Sequence, residues 1–453
     1  MPADVEKPGP PLVTQTPSET GLHRVVVVGG GAAGLELATR LGETLGRRRL
    51  AQVTLVDKAR THLWKPLLHA IAAGSMDPGA HELNYLAQAH WHHFRYQFGE
   101  LVGLDRTARQ VHLGATEDEE GREITPPRSL PYDTLVIAVG SMTNDFGTPG
   151  ATEHAVPLET PDQARRFNRR LVNACLRAHL LEEATRSGQL HVAIIGAGAT
   201  GTELAAELHR TTREVVAYGL DRINPETDIR ITLIEAAPRI LPALSERIAE
   251  KADRVLRELG VAIRVGARVV EVTESGLRLA NGEFVDSVLI VWCAGIKGPD
   301  VLRDLDGLEV TPANQLVVLP TLQTTRDPNV FAIGDCAACP RPDDPKPVPP
   351  RAQAAHQQAS HMAQQIKRRL AGQPLEPFVY RDFGSLVSFG RYGALGNLMG
   401  AVFGGTFFIE GYLARMMYRS LYRMHEAALH GTRKTVLNTL TRHASRLPVV
   451  KLH

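Results

Sequence analysis

Two apolar, β-branched runs set the plan of this chain. His23 to Val28 ends in four valines and gives way to Gly29-Gly30-Gly31-Ala32-Ala33-Gly34, and His191 to Ile195 leads into Gly196-Ala197-Gly198-Ala199-Thr200-Gly201. Short apolar runs closed by glycine predict buried parallel strands, and the leucine- and alanine-rich stretches that follow predict helices. A second strand follows in each half: Val53-Thr54-Leu55-Val56 ends in Asp57, and Ile231-Thr232-Leu233-Ile234 ends in Glu235. Later runs close each unit, Tyr132 to Gly140 in the first and Ser287 to Trp292, followed by Cys293-Ala294-Gly295, in the second. The halves read as repeats of one α/β plan. They differ in spacing, because Gly34 to Asp57 is 23 residues whereas Gly201 to Glu235 is 34. The excess, Thr211 to Asp228, contains Gly219, Asn224 and Pro225, which predicts a longer helix and a surface loop.

The remaining pattern predicts how these units are joined. Residues 1–22 are polar and proline-rich and read as a disordered leader. A first domain is expected over 23–160, a helical linker over 161–190 and a second domain over 191–320. Thr321 to Asp335 reads as a strand pair that returns the chain to the first domain, which would extend over 321–385 with the second domain inserted in it. Pro340 to Pro350 holds six prolines and predicts an irregular loop, and Ala352 to Arg369 predicts a helix. Tyr392 to Ile409 carries no charge but five glycines, which makes a poor isolated helix. Beyond it Phe408, Ile409, Tyr412, Leu413, Met416, Met417, Leu421 and Met424 recur at helical spacing, with Arg415, Arg419 and Arg423 four apart on another face. That pattern predicts an amphipathic helix at a membrane surface, and 386–453 is assigned to membrane association.

The glycine motifs carry the chemistry. In G-x-G-x-x-G between a strand and a helix, the first glycine makes the tight turn and the second admits a pyrophosphate to the backbone. The third allows close packing, and the helix start offers amides to the phosphates. Asp57 and Glu235 end the second strands, where a carboxylate accepts hydrogen bonds from a ribose 2′-hydroxyl. A carboxylate at Glu235 repels a 2′-phosphate, and no arginine directly follows it before Arg239, so NADH is favoured over NADPH. Two dinucleotide sites on one chain imply electron traffic between them, although the fingerprint alone does not separate FAD from NAD. Asp335, after a buried run and Gly334, can reach a ribityl hydroxyl. Gln353, His356 and Gln357 fall on one helical face, where amides and an imidazole offer hydrogen-bond donors.

Composition narrows the field. At 453 residues, 43% hydrophobic and 22% charged, the chain is globular and of multi-domain size. The net charge of +2 argues against nucleic acid as a partner, but it is unevenly spread: Glu410 to His453 carries +6 and the rest −4. Only Cys175, Cys293, Cys336 and Cys339 are present, too few for a disulfide framework. Cys336-Ala337-Ala338-Cys339 is a C-x-x-C, but no second pair completes a zinc site, and no cysteine pair lies early in the first domain to relay electrons. No metal site is expected.

These residues together resemble the two-dinucleotide flavoprotein reductases, and most closely their membrane-bound branch, the type II NADH dehydrogenases or NADH:quinone oxidoreductases. The likeness rests on His62-Leu63-Trp64-Lys65-Pro66-Leu67-Leu68, Gly334-Asp335, Ala352-Gln353-Ala354-Ala355-His356-Gln357 and the basic amphipathic C-terminus. It implies two Rossmann-like domains, with non-covalent FAD on the first and NADH on the second. For FAD it implicates Gly29, Gly31, Ala33, Gly34, Asp57, Lys58, Lys65, Pro66, Leu67, Val102, Gly140, Gly334, Asp335, Ala352 and Gln353. For NADH it implicates Gly196, Gly198, Thr200, Gly201, Glu203, Glu235 and Gly295, and for catalysis Glu203, Gln353, His356 and Gln357. Glu203 corresponds to a residue associated with proton delivery, and it also reads as an ordinary first-turn glutamate.

The expected activity is transfer of two electrons from NADH through flavin to a membrane quinone, ubiquinone or menaquinone, without proton pumping. The expected place is the cytoplasmic face of the bacterial inner membrane, held peripherally on anionic lipid, with homodimerisation left open. Two other readings stand beside it: a soluble NADH-dependent reductase of a protein electron carrier, and an NADH-sensing flavoprotein with slow turnover. Sulfide:quinone reductases are disfavoured, because they need cysteines beside the flavin.

Overall fold

The computed structural model describes residues 13–14, 21–181, 190–342, 344–399, 406–410, 416 and 429. The chain forms two compact units. The first gathers the chain up to His62 with Leu83–Ser141 and Gly298–Tyr380, and the second gathers Leu63–Glu82, Met142–Lys297 and the part from Arg381 onward.

In the first unit the strands His23–Val28, Ala51–Asp57, Arg95–Phe98, Thr134–Ile137 and Asp327–Ala332 pair in parallel, with Gln323–Thr324 antiparallel at the edge. Val25 to Val28, Leu55 and Leu135 to Ile137 are buried, as continuous apolar runs require when both sheet faces are covered. The pairing of Val330, Phe331 and Ala332 with Leu135, Val136 and Ile137 brings the chain back to the first sheet, as the strand pair predicts. The helix Ala352–Leu370 packs on the first fingerprint helix, Ala32–Leu41.

In the second unit Val156–Pro157, Leu289–Trp292, Leu190–Ile195, Ile229–Ile234 and Ala262–Arg264 form a five-stranded parallel sheet in that order. The fingerprint helix Ala199–Ala217 is long and is followed by a loop to Asp228, as the wider spacing predicts. Pro161–Leu180, expected as a linker helix, starts at a Thr160–Gln163 capping box and buries Phe167 and Leu171 in the core of this unit.

Three boundaries differ from the sequence reading. Residues 63–82 cluster with the second unit, because Leu68, Ile71 and Ala72 pack into its core with Leu204 and Ala205. Residues 298–320 cluster with the first unit, where Gly298 and Ala313 are backbone-bonded. The chain beyond residue 385 is not a separate region at its start: Gly384–Ser388, Ala394–Met399 and Thr406–Glu410 form an antiparallel sheet. Val387, Phe389 and Leu395 of this segment join the second unit's core. Phe408 and Ile409 are therefore strand residues, since glycine-rich uncharged sequence gains more from cross-strand backbone pairing than from an isolated helix. Tyr412, Leu413, Arg415, Met417, Arg419, Leu421, Arg423 and Met424 lie outside the described residues, and Met416 is exposed. Among the described residues no helix is long and apolar enough to cross a membrane.

Candidate nucleotide sites and their flanking residues

The two fingerprints are built alike, down to single hydrogen bonds. Gly29 and Gly196 hold φ +102° and +98°, and a Cβ on either would run into the backbone at Ala138 or Ala294 respectively. Only glycine tolerates both conditions. A Cβ on Gly34 or Gly201 would strike the carbonyl oxygen of Gly29 or Gly196, so these glycines set the approach of helix to strand. Gly31 and Gly198, by contrast, face open space, and no side chain caps either helix start. Uncapped amides beside an open glycine suit an anion.

The acids close each turn. Asp57 Oδ2 accepts the Gly30 amide at 2.5 Å and its Oδ1 accepts Ala59 at 2.7 Å. Glu235 Oε2 accepts the Ala197 amide at 2.8 Å and its Oε1 accepts Ala237 at 2.8 Å. Each carboxylate thus pins the middle residue of its own glycine turn, with lone pairs left for a ribose hydroxyl.

In the first unit the Gly30 carbonyl also accepts from Tyr85 Oη at 2.8 Å and from His62 Nδ1 at 2.9 Å. Burial pushes the His62 imidazole down to about 4, so it is neutral and donates from one nitrogen. Gly334, at φ +75°, donates its amide to the buried Gln358 Oε1 at 2.6 Å. Asp335 Oδ2 accepts from Ser141 at 3.0 Å, and its backbone carbonyl accepts from Gln315 Nε2 at 2.8 Å. Gly140 is at φ +73° with open space around it. The expected residues Ala33, Gly334 and Asp335 therefore lie around the first turn, and a Cβ on Gly334 would sit 3.6 Å from Ala33.

Other expected residues are placed as follows. Lys58 pairs with Glu100 at 2.8 Å on the surface. Val102 is exposed on Leu101–Asp105, in a four-stranded sheet and not in the fingerprint sheet. Lys65–Leu67 form a short 3-10 turn assigned to the second unit, with Lys65 and Pro66 exposed. Thr200 is exposed in the first turn of its helix, and Gly295 holds φ +66° against Phe146. Ala352 opens its helix, and Gln353, His356 and Gln357 lie half-buried on one face of it.

Two buried glutamates stand at matching points of the repeat, each two residues past the last glycine of its turn. Glu36 accepts from His356 Nδ1 at 2.7 Å and from Arg40 Nε at 2.8 Å. Glu203 lies 3.4 Å from His69 Nδ1, and its Oε1 accepts the Ser388 amide at 2.9 Å. Glu203 is therefore more than a first-turn dipole partner, since it ties its helix to Gly384–Ser388. Sequence reading missed Glu36, His69, Tyr85 and Gln358. Only Glu36 carried a signal, its offset from Gly34 matching that of Glu203 from Gly201.

The cysteines are four free thiols. Burial pushes Cys293, Cys336 and Cys339 up to about 12 and Cys175 up to about 11, so none presents a thiolate near neutral pH. Among the described residues no group of His, Cys, Asp and Glu could hold a metal ion.

Residues 23–359 match the family model described as pyridine nucleotide-disulphide oxidoreductase. A type II NADH:quinone oxidoreductase of Haemophilus influenzae is 40% identical over 446 residues, covering 95% of this chain and 100% of that protein. The structure of NDH2 from Plasmodium falciparum in complex with NADH shares the fold with a TM-score of 0.75 at 18% identity, over 89% of this chain and 94% of that one. The sulfide:quinone oxidoreductase of Aquifex aeolicus shares it with a TM-score of 0.70 at 18% identity, over 90% and 92%. Fold alone therefore spans several activities. The fold and the paired fingerprints define a pyridine nucleotide-disulphide oxidoreductase, and within that family the chain belongs to the type II NADH:quinone oxidoreductases.

Proposed function

We propose that the first unit holds FAD non-covalently, that the second takes NADH, and that the face bearing Gln353, His356 and Gln357 meets a membrane quinone. The reaction is two-electron transfer from NADH to quinone through the flavin, without proton pumping. The observation that carries this reading is the 40% identity that runs the whole length of the Haemophilus influenzae NADH:quinone oxidoreductase.

The residues of the first unit fit FAD. An uncapped helix start and the open glycines 31 and 140 leave room for a pyrophosphate, Asp57 is oriented by its own turn, and Ser141 orients Asp335. Bound FAD supplies a two-electron carrier able to accept hydride from NADH and to pass electrons to a quinone. The protein supplies position and charge. Glu235 selects the unphosphorylated ribose of NADH, Glu203 holds a buried carboxylate in the NADH-binding unit, and Gln353 and His356 donate to quinone oxygens.

The reading also places the protein on the cytoplasmic face of the bacterial inner membrane, held by apolar and basic residues of the C-terminal part against anionic lipid. The +6 charge of Glu410 to His453 supports it, and a soluble reductase of a protein carrier has no need of such a tail.

An anaerobic titration tests the reaction. NADH should bleach the flavin band in one equivalent, and ubiquinone or menaquinone should restore it. Bleaching by NADH that neither quinone reverses would leave the NADH-sensing reading standing in its place.

A further inference from the structure

We infer that Glu36 is a positioning residue for quinone reduction, fixing His356 so that its Nε2 is the atom presented to the quinone. The inference rests on the reading that the Gln353, His356 and Gln357 face meets quinone, and it concerns a residue outside that face.

The geometry is specific. Glu36 sits on the first fingerprint helix with its side chain 0% exposed, whereas the His356 side chain is 37% exposed. The imidazole thus has one nitrogen anchored in the interior and the rest of the ring at the accessible side. Glu36 Oε2 accepts from Nδ1 at 2.7 Å, and its other oxygen accepts from Arg40 Nε at 2.8 Å and Ser360 Oγ at 3.4 Å. A carboxylate held by donors at both oxygens cannot rotate away. A carboxylate also accepts only, so Nδ1 must carry a hydrogen, and Nε2 is left as the nitrogen that gains and loses a proton.

That arrangement orients a proton donor. Reduction of a quinone takes two electrons, which the reaction draws from NADH, and two protons, one passed by Nε2 of His356 and one taken from solvent. One proton passes from Nε2 to a quinone oxygen: the Nε2–H bond breaks, the O–H bond forms, and Nε2 then takes its next proton from water. Nδ1 keeps its own hydrogen on Glu36 throughout. Without Glu36 the ring can flip or adopt the other tautomer, and Nε2 no longer meets the quinone in a fixed state. The repeat supports a built feature, because the equivalent Glu203 also meets a histidine, His69, with both side chains buried.

The test uses FAD-loaded protein and anaerobic stopped flow, following flavin reduction by NADH and then reoxidation by short-tailed ubiquinone-1. Glu36→Gln should slow reoxidation roughly 10- to 100-fold, by analogy with the loss when the carboxylate that orients a metal-bound histidine is removed. FAD content and reduction by NADH should stay unchanged. In a His356→Ala background the same substitution should cost nothing further, since its effect travels through the ring. Glu36→Asp, which keeps the charge but shortens the reach, should also slow reoxidation and decides the matter if Glu36→Gln does not accumulate as holoprotein.

If His356→Ala leaves reoxidation unchanged, the quinone-face reading itself fails. If His356→Ala slows reoxidation while neither Glu36 variant does, the quinone face stands and this inference is overturned. It is equally overturned if the Glu36 variants lose FAD or bleach slowly with NADH, because Glu36 would then serve the fingerprint helix.

Discussion

Glu235 is expected to partner a ribose, but its two oxygens already hold the Ala197 and Ala237 amides, each at 2.8 Å. Glu235→Gln keeps the shape and removes the charge. A glutamine has one acceptor oxygen, so its NH2 group must face one of these two amides. One hydrogen bond is lost and one donor is left opposed to another, a loss of about 1–3 kcal/mol. At about 1.4 kcal/mol per tenfold, any step that needs the turn in place weakens roughly 5- to 150-fold. The substitution should therefore lower kcat/KM for NADH by that factor. For NADPH the loss is offset by relief of repulsion at the 2′-phosphate, so the NADH to NADPH ratio should fall as well. The assay is anaerobic bleaching of the flavin with each nucleotide at matched FAD content. Unchanged kcat/KM for NADH with an unchanged ratio would show that Glu235 neither braces the turn nor meets the ribose. Asp57→Asn gives the internal comparison, since the same argument in the first unit predicts weaker FAD retention.

Three further outcomes follow from the same structure. Gly29→Ala should give protein that purifies without FAD, whereas Gly196→Ala should keep FAD and lose bleaching by NADH, because each added Cβ meets backbone in its own unit; absorbance at the flavin band reads both. His62 titrates near 6.5 when unfolded but is held down to about 4 by burial, so the folded state resists a proton that the unfolded chain takes. Its contribution is complete above about pH 6.5 and lost as pH falls toward 4, by up to about 3 kcal/mol, and His62→Gln should flatten the fall of Tm over that window. Truncation after Glu410 spares the strand Thr406–Glu410 and removes eight Lys or Arg, each contributing about 1 kcal/mol near an anionic surface. Folded, FAD-loaded truncated protein that still sediments with phosphatidylglycerol vesicles would refute the anchor.

What sequence made legible was local or strictly periodic. Gly29 and Gly196 declare their turns because a positive φ against backbone leaves no other residue, and the buried valine and isoleucine runs declare parallel strands. The return of Asp327–Ala332 to the first sheet followed from a surplus strand that the second unit could not use. Long-range partners left no such mark. Nothing near His69 in sequence points to Glu203, and Gln358 gives no sign that it will receive the amide of Gly334. The helical spacing from Phe408 misled because Phe408 and Ile409 satisfy their backbone groups across strands, a choice made by the partner strand and not by periodicity.

The middle residue of the opening turn, one of two positions at which the fingerprints differ, shows how the units diverged under a shared plan. The first reads Gly29-Gly30-Gly31 and the second Gly196-Ala197-Gly198. A Cβ on Gly30 would occupy the place of the Tyr85 hydroxyl, the same group that donates to the Gly30 carbonyl at 2.8 Å. Tyr85 is stacked on Tyr96 at 5.2 Å and is buried, so the ring cannot withdraw without opening a cavity. In the second unit Ala197 is itself fully buried. The first turn thus gains a hydrogen bond from a distant helix in exchange for a methyl group, its carbonyl held by Tyr85 and His62, whereas the Ala197 carbonyl of the second accepts from the Leu241 amide at 2.8 Å and from Thr202 Oγ1 at 3.4 Å. Each turn is therefore held both by the acid at the end of its second strand and at its middle carbonyl, the first through side chains of distant segments and the second partly through a backbone amide, so the shared plan is kept by different means.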